Sequence, residues 1–160
     1  MKKKVEKAVT IREGSYNMAK VIAINISEKK GTIKKPVSKG LFIENHGLEG
    51  DAHAGPGHRQ ISLLGQESIE KMKSKGLEGL CTGKFAENLT TEGIILYEIP
   101  VGTKIEIGET IQEVTQIGKE CHGGCEIKRL TGECVMPKEG IFTKVLKTGI
   151  IRPGDEIKII

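Results

Sequence analysis

Pro100-Val101-Gly102-Thr103-Lys104-Ile105-Glu106-Ile107 is the stretch that decides the fold. A proline and a glycine set a turn, and isoleucine then alternates with charge, the period of a strand with one dry face. Pro153-Gly154-Asp155-Glu156-Ile157-Lys158-Ile159 uses the same device near the end of the chain. Nothing else recurs, so these are similar turn-strand units of one barrel or sandwich rather than an internal repeat. Working outward, Ala19-Lys20-Val21-Ile22-Ala23-Ile24-Asn25-Ile26 predicts a further strand, with Ile22, Ile24 and Ile26 on one face. Leu41-Phe42-Ile43, Ile61-Ser62-Leu63-Leu64 and residues 140–146 add three more. The clearest helix covers residues 66–75, where Ile69 and Met72 lie three apart and Gly76 supplies a stop. The expectation is a mainly β fold: a closed or partly open β-barrel with one or two short helices.

Composition agrees and narrows the partners. The 160 residues suit one domain with its own core, and 21 glycines beside isoleucine-rich runs supply its many turns. Two Tyr, three Phe and no Trp are too few for an aromatic platform that stacks single-stranded nucleic acid. The formal charge is +4, but Lys2, Lys3, Lys4, Lys7 and Arg12 against Glu6 and Glu13 give +3 (5 − 2) within residues 1–17. About +1 is left for residues 18–160, which is no footprint for a nucleic-acid partner. Residues 1–17 are expected to be a flexible basic N-terminal extension, residues 18–160 the domain, and Met18 a candidate native start. No apolar run has signal-peptide or membrane-span length, so no membrane partner and a cytoplasmic location are expected. In a reducing compartment the four cysteines point to metal binding or catalysis before disulfides.

Three polar, glycine-rich stretches carry the reactive side chains. Residues 47–60 read as a loop holding Asp51, His53, His58 and Arg59 before an apolar strand, a common place for a site; a solvated surface connection fits the same residues. Residues 83–93 also look loop-like. In Ile117-Gly118-Lys119-Glu120-Cys121-His122-Gly123-Gly124-Cys125, Lys119 and His122 are close enough in sequence to favour a thiolate. Glycines there could aim backbone N–H groups at an anion. The alternative is a turn whose cysteines are small buried hydrophobes. Zinc is a poor fit, because Cys-His-x-x-Cys-x8-Cys is no recognised ligand spacing. Cys81 and Cys134 read as packing residues.

Taken together, Gly-Leu-Glu-Gly-Asp-Ala-His-Ala-Gly (47–55), Arg59-Gln60-Ile61-Ser62, Glu87-Asn88-Leu89-Thr90-Thr91-Glu92-Gly93, Gly118-Lys119-Glu120-Cys121-His122 and Gly140-Ile141-Phe142 resemble the MOSC domain family. That name denotes the C-terminal domain of molybdenum-cofactor sulfurases. The likeness spans roughly residues 18–160, with the motifs in family order; Ala86 stands where the family often has glycine. It implies a barrel-like β fold and the molybdenum cofactor (molybdopterin) as the bound group. Cys121, or alternatively Cys125, would carry persulfide sulfur or ligate molybdenum, with His122 beside it. It further implies a pyridoxal-phosphate cysteine desulfurase or a molybdoenzyme as partner. Arg59 and Lys119 are candidates for the cofactor's phosphate and Asn88 for a pterin edge, with Asp51 and His53 in the same set. Two other readings stay open. One is a reductase of N-hydroxylated compounds, with cysteine-ligated molybdenum and an external electron donor; the other is a non-catalytic interaction module. The three stretches are expected to converge on one cleft.

Overall fold

The computed structural model describes residues 19–30, 33–74, 85–119 and 136–160. The expected extension at 1–17, the Gly76 stop, Cys81, Cys121, His122, Cys125 and Cys134 lie outside them. In chain order the strands are β1 (Lys20–Ile26), β2 (Lys35–Val37), β3 (Gly40–Ile43), β4 (Gly47–Leu48), β5 (Ile61–Gly65) and β6 (Leu89–Glu92). They continue as β7 (Lys104–Ile107), β8 (Thr110–Ile117), β9 (Ile141–Lys147), β10 (Gly149–Ile151) and β11 (Ile157–Ile159). Helix α1 (Gln66–Lys73) follows β5, and a single turn, α2 (Met136–Glu139), precedes β9.

Eight strands form one sheet in the order β11-β7-β8-β9-β5-β6-β1-β2, and β10-β3-β4 form a second. Among the described residues only β5 and β6 pair in parallel, and the crossover that parallel pairing requires carries α1. The large sheet is partly open rather than closed into a barrel. Its seam is bridged at one end: Val21 N–H donates to the Asp155 carbonyl at 2.8 Å, and Gly154 N–H to the Val21 carbonyl at 2.7 Å. The mainly β expectation and the short helices therefore hold.

The alternating isoleucines decide the core as expected at β7, where Ile105 and Ile107 are fully buried while Lys104 is exposed. Each such side chain withdrawn from water contributes about 2 kcal/mol. In β1 the expected face is not kept. The pairing with β6 shifts between Val21 and Ala23, and one extra residue moves everything beyond it to the other face. Val21 and Ile24 are fully buried, Ile26 packs against the core, and Ile22 is displaced from it.

Five strands escaped the pattern: β2, β4, β6, β8 and β10. The longest, β8, buries Thr110 and Gln112 beside Val114, so its dry face is partly polar. Those groups are satisfied: Thr143 Oγ1 donates to Gln112 Oε1 and Gln112 Nε2 to Thr110 Oγ1. The stretch 83–93, expected to be loop, contains β6, which runs between β5 and β1. The stretch 47–60 opens with β4 before becoming loop. Pro36 sits in β2, the outermost strand of its sheet, where a missing N–H costs no ladder bond.

Candidate functional site

The loop between β4 and β5 is folded by its own side chains and glycines. Gly47 has φ +116°, and a Cβ there would stand 2.9 Å from the Gln60 carbonyl oxygen, so only glycine lets the two ends of the loop approach. Gln60 is buried and works as a clamp: its Nε2 donates to the Gly57 carbonyl at 3.0 Å, and its Oε1 accepts from Val145 N–H at 2.9 Å. Farther along, His58 Nε2 lies 2.7 Å from Gln116 Oε1, and Thr115 Oγ1 donates to the His58 carbonyl. His58 is thereby tied to β8, whereas His53 faces a cleft.

That cleft, of about 340 Å³, gathers side chains from all three glycine-rich stretches: His53 and Arg59 from the first, Ala86 and Asn88 from the second, Lys119 from the third. Lys30 stands on its edge and Phe142 in its wall. No carboxylate lines it among the described residues. The Arg59 guanidinium lies 5.5 Å from the centre of the Phe142 ring, a contact that holds the cation in place without neutralising it. Arg59, Lys30 and Lys119 make no ion pair among the described residues.

Asn88 reaches the cleft wall but is largely engaged. Its Oδ1 accepts from Ser62 N–H at 3.1 Å, and Nδ2 donates to the Asn25 carbonyl at 3.3 Å, tying β6 to both neighbours. Its amide is therefore a tie between strands before it is a reader of a ligand edge. Ala86, just before Glu87-Asn88-Leu89, has φ +64°, the left-handed region that glycine occupies freely.

Asp51 lies beneath the cleft. Its Oδ1 accepts from Lys34 Nζ at 2.7 Å and from Ser27 N–H at 3.0 Å, and Oδ2 accepts from His53 N–H at 3.1 Å. Burial alone would raise its pKa, but the nearby His53 side chain and the bonds from Lys34 and the Ser27 backbone outweigh it and hold the carboxyl well below the usual range. Lys34 Nζ also donates to Ser27 Oγ at 3.1 Å and lies 3.0 Å from His53 Nδ1. Lys34 is 1 % exposed, although nothing in the local run Lys34-Lys35-Pro36 marks it for burial.

The fold is thus a partly open, mainly β domain whose cleft, lined by cations and by no carboxylate among the described residues, is assembled from three separate motifs. The MOSC domain family model matches residues 49–158, and the chain belongs to that family. MOSC domains are associated with molybdenum-cofactor biology. The chain is 22 % identical over 162 residues to the protein YflK of Bacillus subtilis, covering 91 % of this chain and 72 % of that one. Its fold resembles the YUAD protein from Bacillus subtilis, at TM-score 0.74 and 19 % identity over 89 % of this chain and 96 % of that one. YiiM from Geobacillus stearothermophilus follows at TM-score 0.69 and 19 % identity, covering 89 % and 75 %. Among the described residues no cluster of His, Cys, Asp or Glu could hold a metal ion, and no helix is long and apolar enough to cross a membrane.

Proposed function

We propose that the cleft receives the anionic phosphate end of the molybdenum cofactor, and that the chain is a cofactor-binding or sulfur-carrier domain. The observation that carries this reading is the convergence of Arg59, Lys119, Lys30 and His53 on one cleft that no carboxylate lines among the described residues, in a chain of the MOSC family. Phosphate recognition needs such a surplus of N–H donors. The donor set fits the phosphate. The soft ligand would be Cys121, two residues beyond Lys119 in sequence, with Cys125 as the alternative. When bound, the cofactor would supply a molybdenum centre. The chain's own residues would hold its phosphate, keep it oriented against the Arg59–Phe142 pair and present a thiolate.

In the carrier role, that thiolate attacks the sulfane sulfur of a desulfurase persulfide. A new S–S bond forms on Cys121, the donor's S–S bond breaks, and the desulfurase leaves as its thiolate. The test is protein purified from a molybdenum-replete host. Pterin and molybdenum should co-purify with the wild type, and Arg59→Ala should lower retention roughly tenfold while leaving the fold intact. Intact mass after incubation with a cysteine desulfurase and cysteine should show one added sulfur, absent from Cys121→Ser. No retained cofactor in any preparation would defeat the binding reading. Turnover of an N-hydroxylated base with a supplied reductant would move the assignment to the reductase.

A further inference from the structure

We infer that Lys34 is a positioning residue: its third N–H pins His53 in the tautomer that carries its proton on Nε2, turning the ring into a fixed hydrogen-bond donor for an oxyanion in the cleft. The inference rests on the anion-cleft reading but adds a residue and a state that reading does not contain.

The argument is a count of protons. An ammonium group has three N–H donors and no acceptor. Around Lys34 Nζ stand three acceptors: Asp51 Oδ1 at 2.7 Å, Ser27 Oγ at 3.1 Å and His53 Nδ1 at 3.0 Å. Because lysine can only donate, His53 Nδ1 accepts, and the proton of the neutral imidazole sits on Nε2. Asp51 does not compete for Nδ1, since its Oδ2 lies 3.7 Å away and already accepts from His53 N–H. The cluster is closed on its buried side, with Lys34 and Asp51 side chains each 1 % exposed, while His53 remains 39 % exposed and lines the cleft. The groups that face His53 are therefore Lys34 and Asp51 below and Lys30, Arg59 and Lys119 across the cleft. Only a donor at Nε2 matches what those cations would gather, the oxygen of a phosphate-like anion.

The test uses the full chain with 15N-labelled histidine and arginine, in 1H–15N spectra (long-range for the imidazoles) near pH 8, where an ordinary imidazole is neutral. His53 is assigned by its disappearance in His53→Gln. The wild type should show the Nε2–H tautomer, and titration with inorganic phosphate should shift that Nε2–H. Lys34→Met should release the tautomer, populating Nδ1–H, and weaken phosphate roughly tenfold. If Lys34→Met does not fold, Lys34→Met/Asp51→Asn removes both charges together and is read the same way. An Nδ1–H tautomer in the wild type, or an unchanged tautomer in the variants, overturns the inference. If phosphate perturbs the Arg59 resonances but not His53, the donor role fails while the cleft reading survives. If phosphate perturbs neither, both fall together.

Discussion

The floor of the cleft and its rim both hold cations, under opposite conditions. On the floor, Lys34 and Asp51 are buried, 2.7 Å apart, and every proton of the ammonium has an acceptor. On the rim, Arg59, Lys119 and Lys30 have no carboxylate partner among the described residues. Burial explains the difference. A charge out of water must be matched inside the protein, whereas an exposed charge can wait for a ligand without penalty. The floor is thus finished by folding itself, whereas the rim keeps cations that no carboxylate matches among the described residues.

The largest effect that would break this contrast is at Lys34. Lys34→Met fills the space with an apolar chain but leaves the Asp51 carboxylate buried without its strongest partner. The expected loss is about 3–5 kcal/mol of unfolding free energy, measured by urea denaturation. A loss below about 1 kcal/mol would mean the floor is hydrated like the rim, and the distinction would be gone.

Acid probes the same cluster from the other side. The ordinary carboxyl value is 3.8, and Asp51 is held well below it in the folded chain. The unfolded state therefore takes up a proton as pH falls past about 4 while the native state still refuses it. The contribution is fully present above that value and fades as pH drops toward the folded pKa, at up to about 1.4 kcal/mol per pH unit. Asp51→Asn should flatten this limb of the stability–pH curve, whereas Arg59→Ala should leave it unaltered. Equal acid limbs in wild type and Asp51→Asn would show that other carboxyls set it.

How far the sequence reached follows the same division. Strands whose buried positions hold isoleucine, such as β7 and β11, were legible because alternation and burial coincide there. The longest strand, β8, was not, because Thr110 and Gln112 occupy its dry face and are satisfied by partners about 30 residues away or by each other. The bulge in β1 was equally hidden, since no local signal says where a partner strand shifts register. At the site, Arg59, Lys119 and His53 could be named as reactive types in glycine-rich stretches, and the fold brings them to one cleft. Lys34 could not, because a lysine becomes structural only through an aspartate 17 positions on. Asn88 reads by type as a possible ligand contact, but its ties to Ser62 and Asn25 are long-range and carry no local mark.

The smallest effect sharpens the contrast on the cleft wall, where the chain carries strain that the floor lacks. Ala86 has φ +64°, a conformation that costs an L-residue about 1–2 kcal/mol. Its neighbours hold it there: Ser62 Oγ lies 3.2 Å from the Ala86 carbonyl, Phe85 N–H donates to Glu87 Oε1 at 3.2 Å, and Thr90 Oγ1 donates to Glu87 Oε2 at 2.7 Å. Glycine would adopt the angle freely but would also gain entropy in the unfolded chain, worth about 0.4–1 kcal/mol in the opposite sense. Ala86→Gly should therefore raise stability by roughly 0.5 kcal/mol, a shift of about 1–2 °C in Tm by calorimetry. Phosphate affinity should stay within about twofold, because the backbone angle is already the one glycine prefers. A drop in Tm would mean that the alanine methyl packs usefully into the wall, and the strain assigned to this side of the cleft would have to be withdrawn.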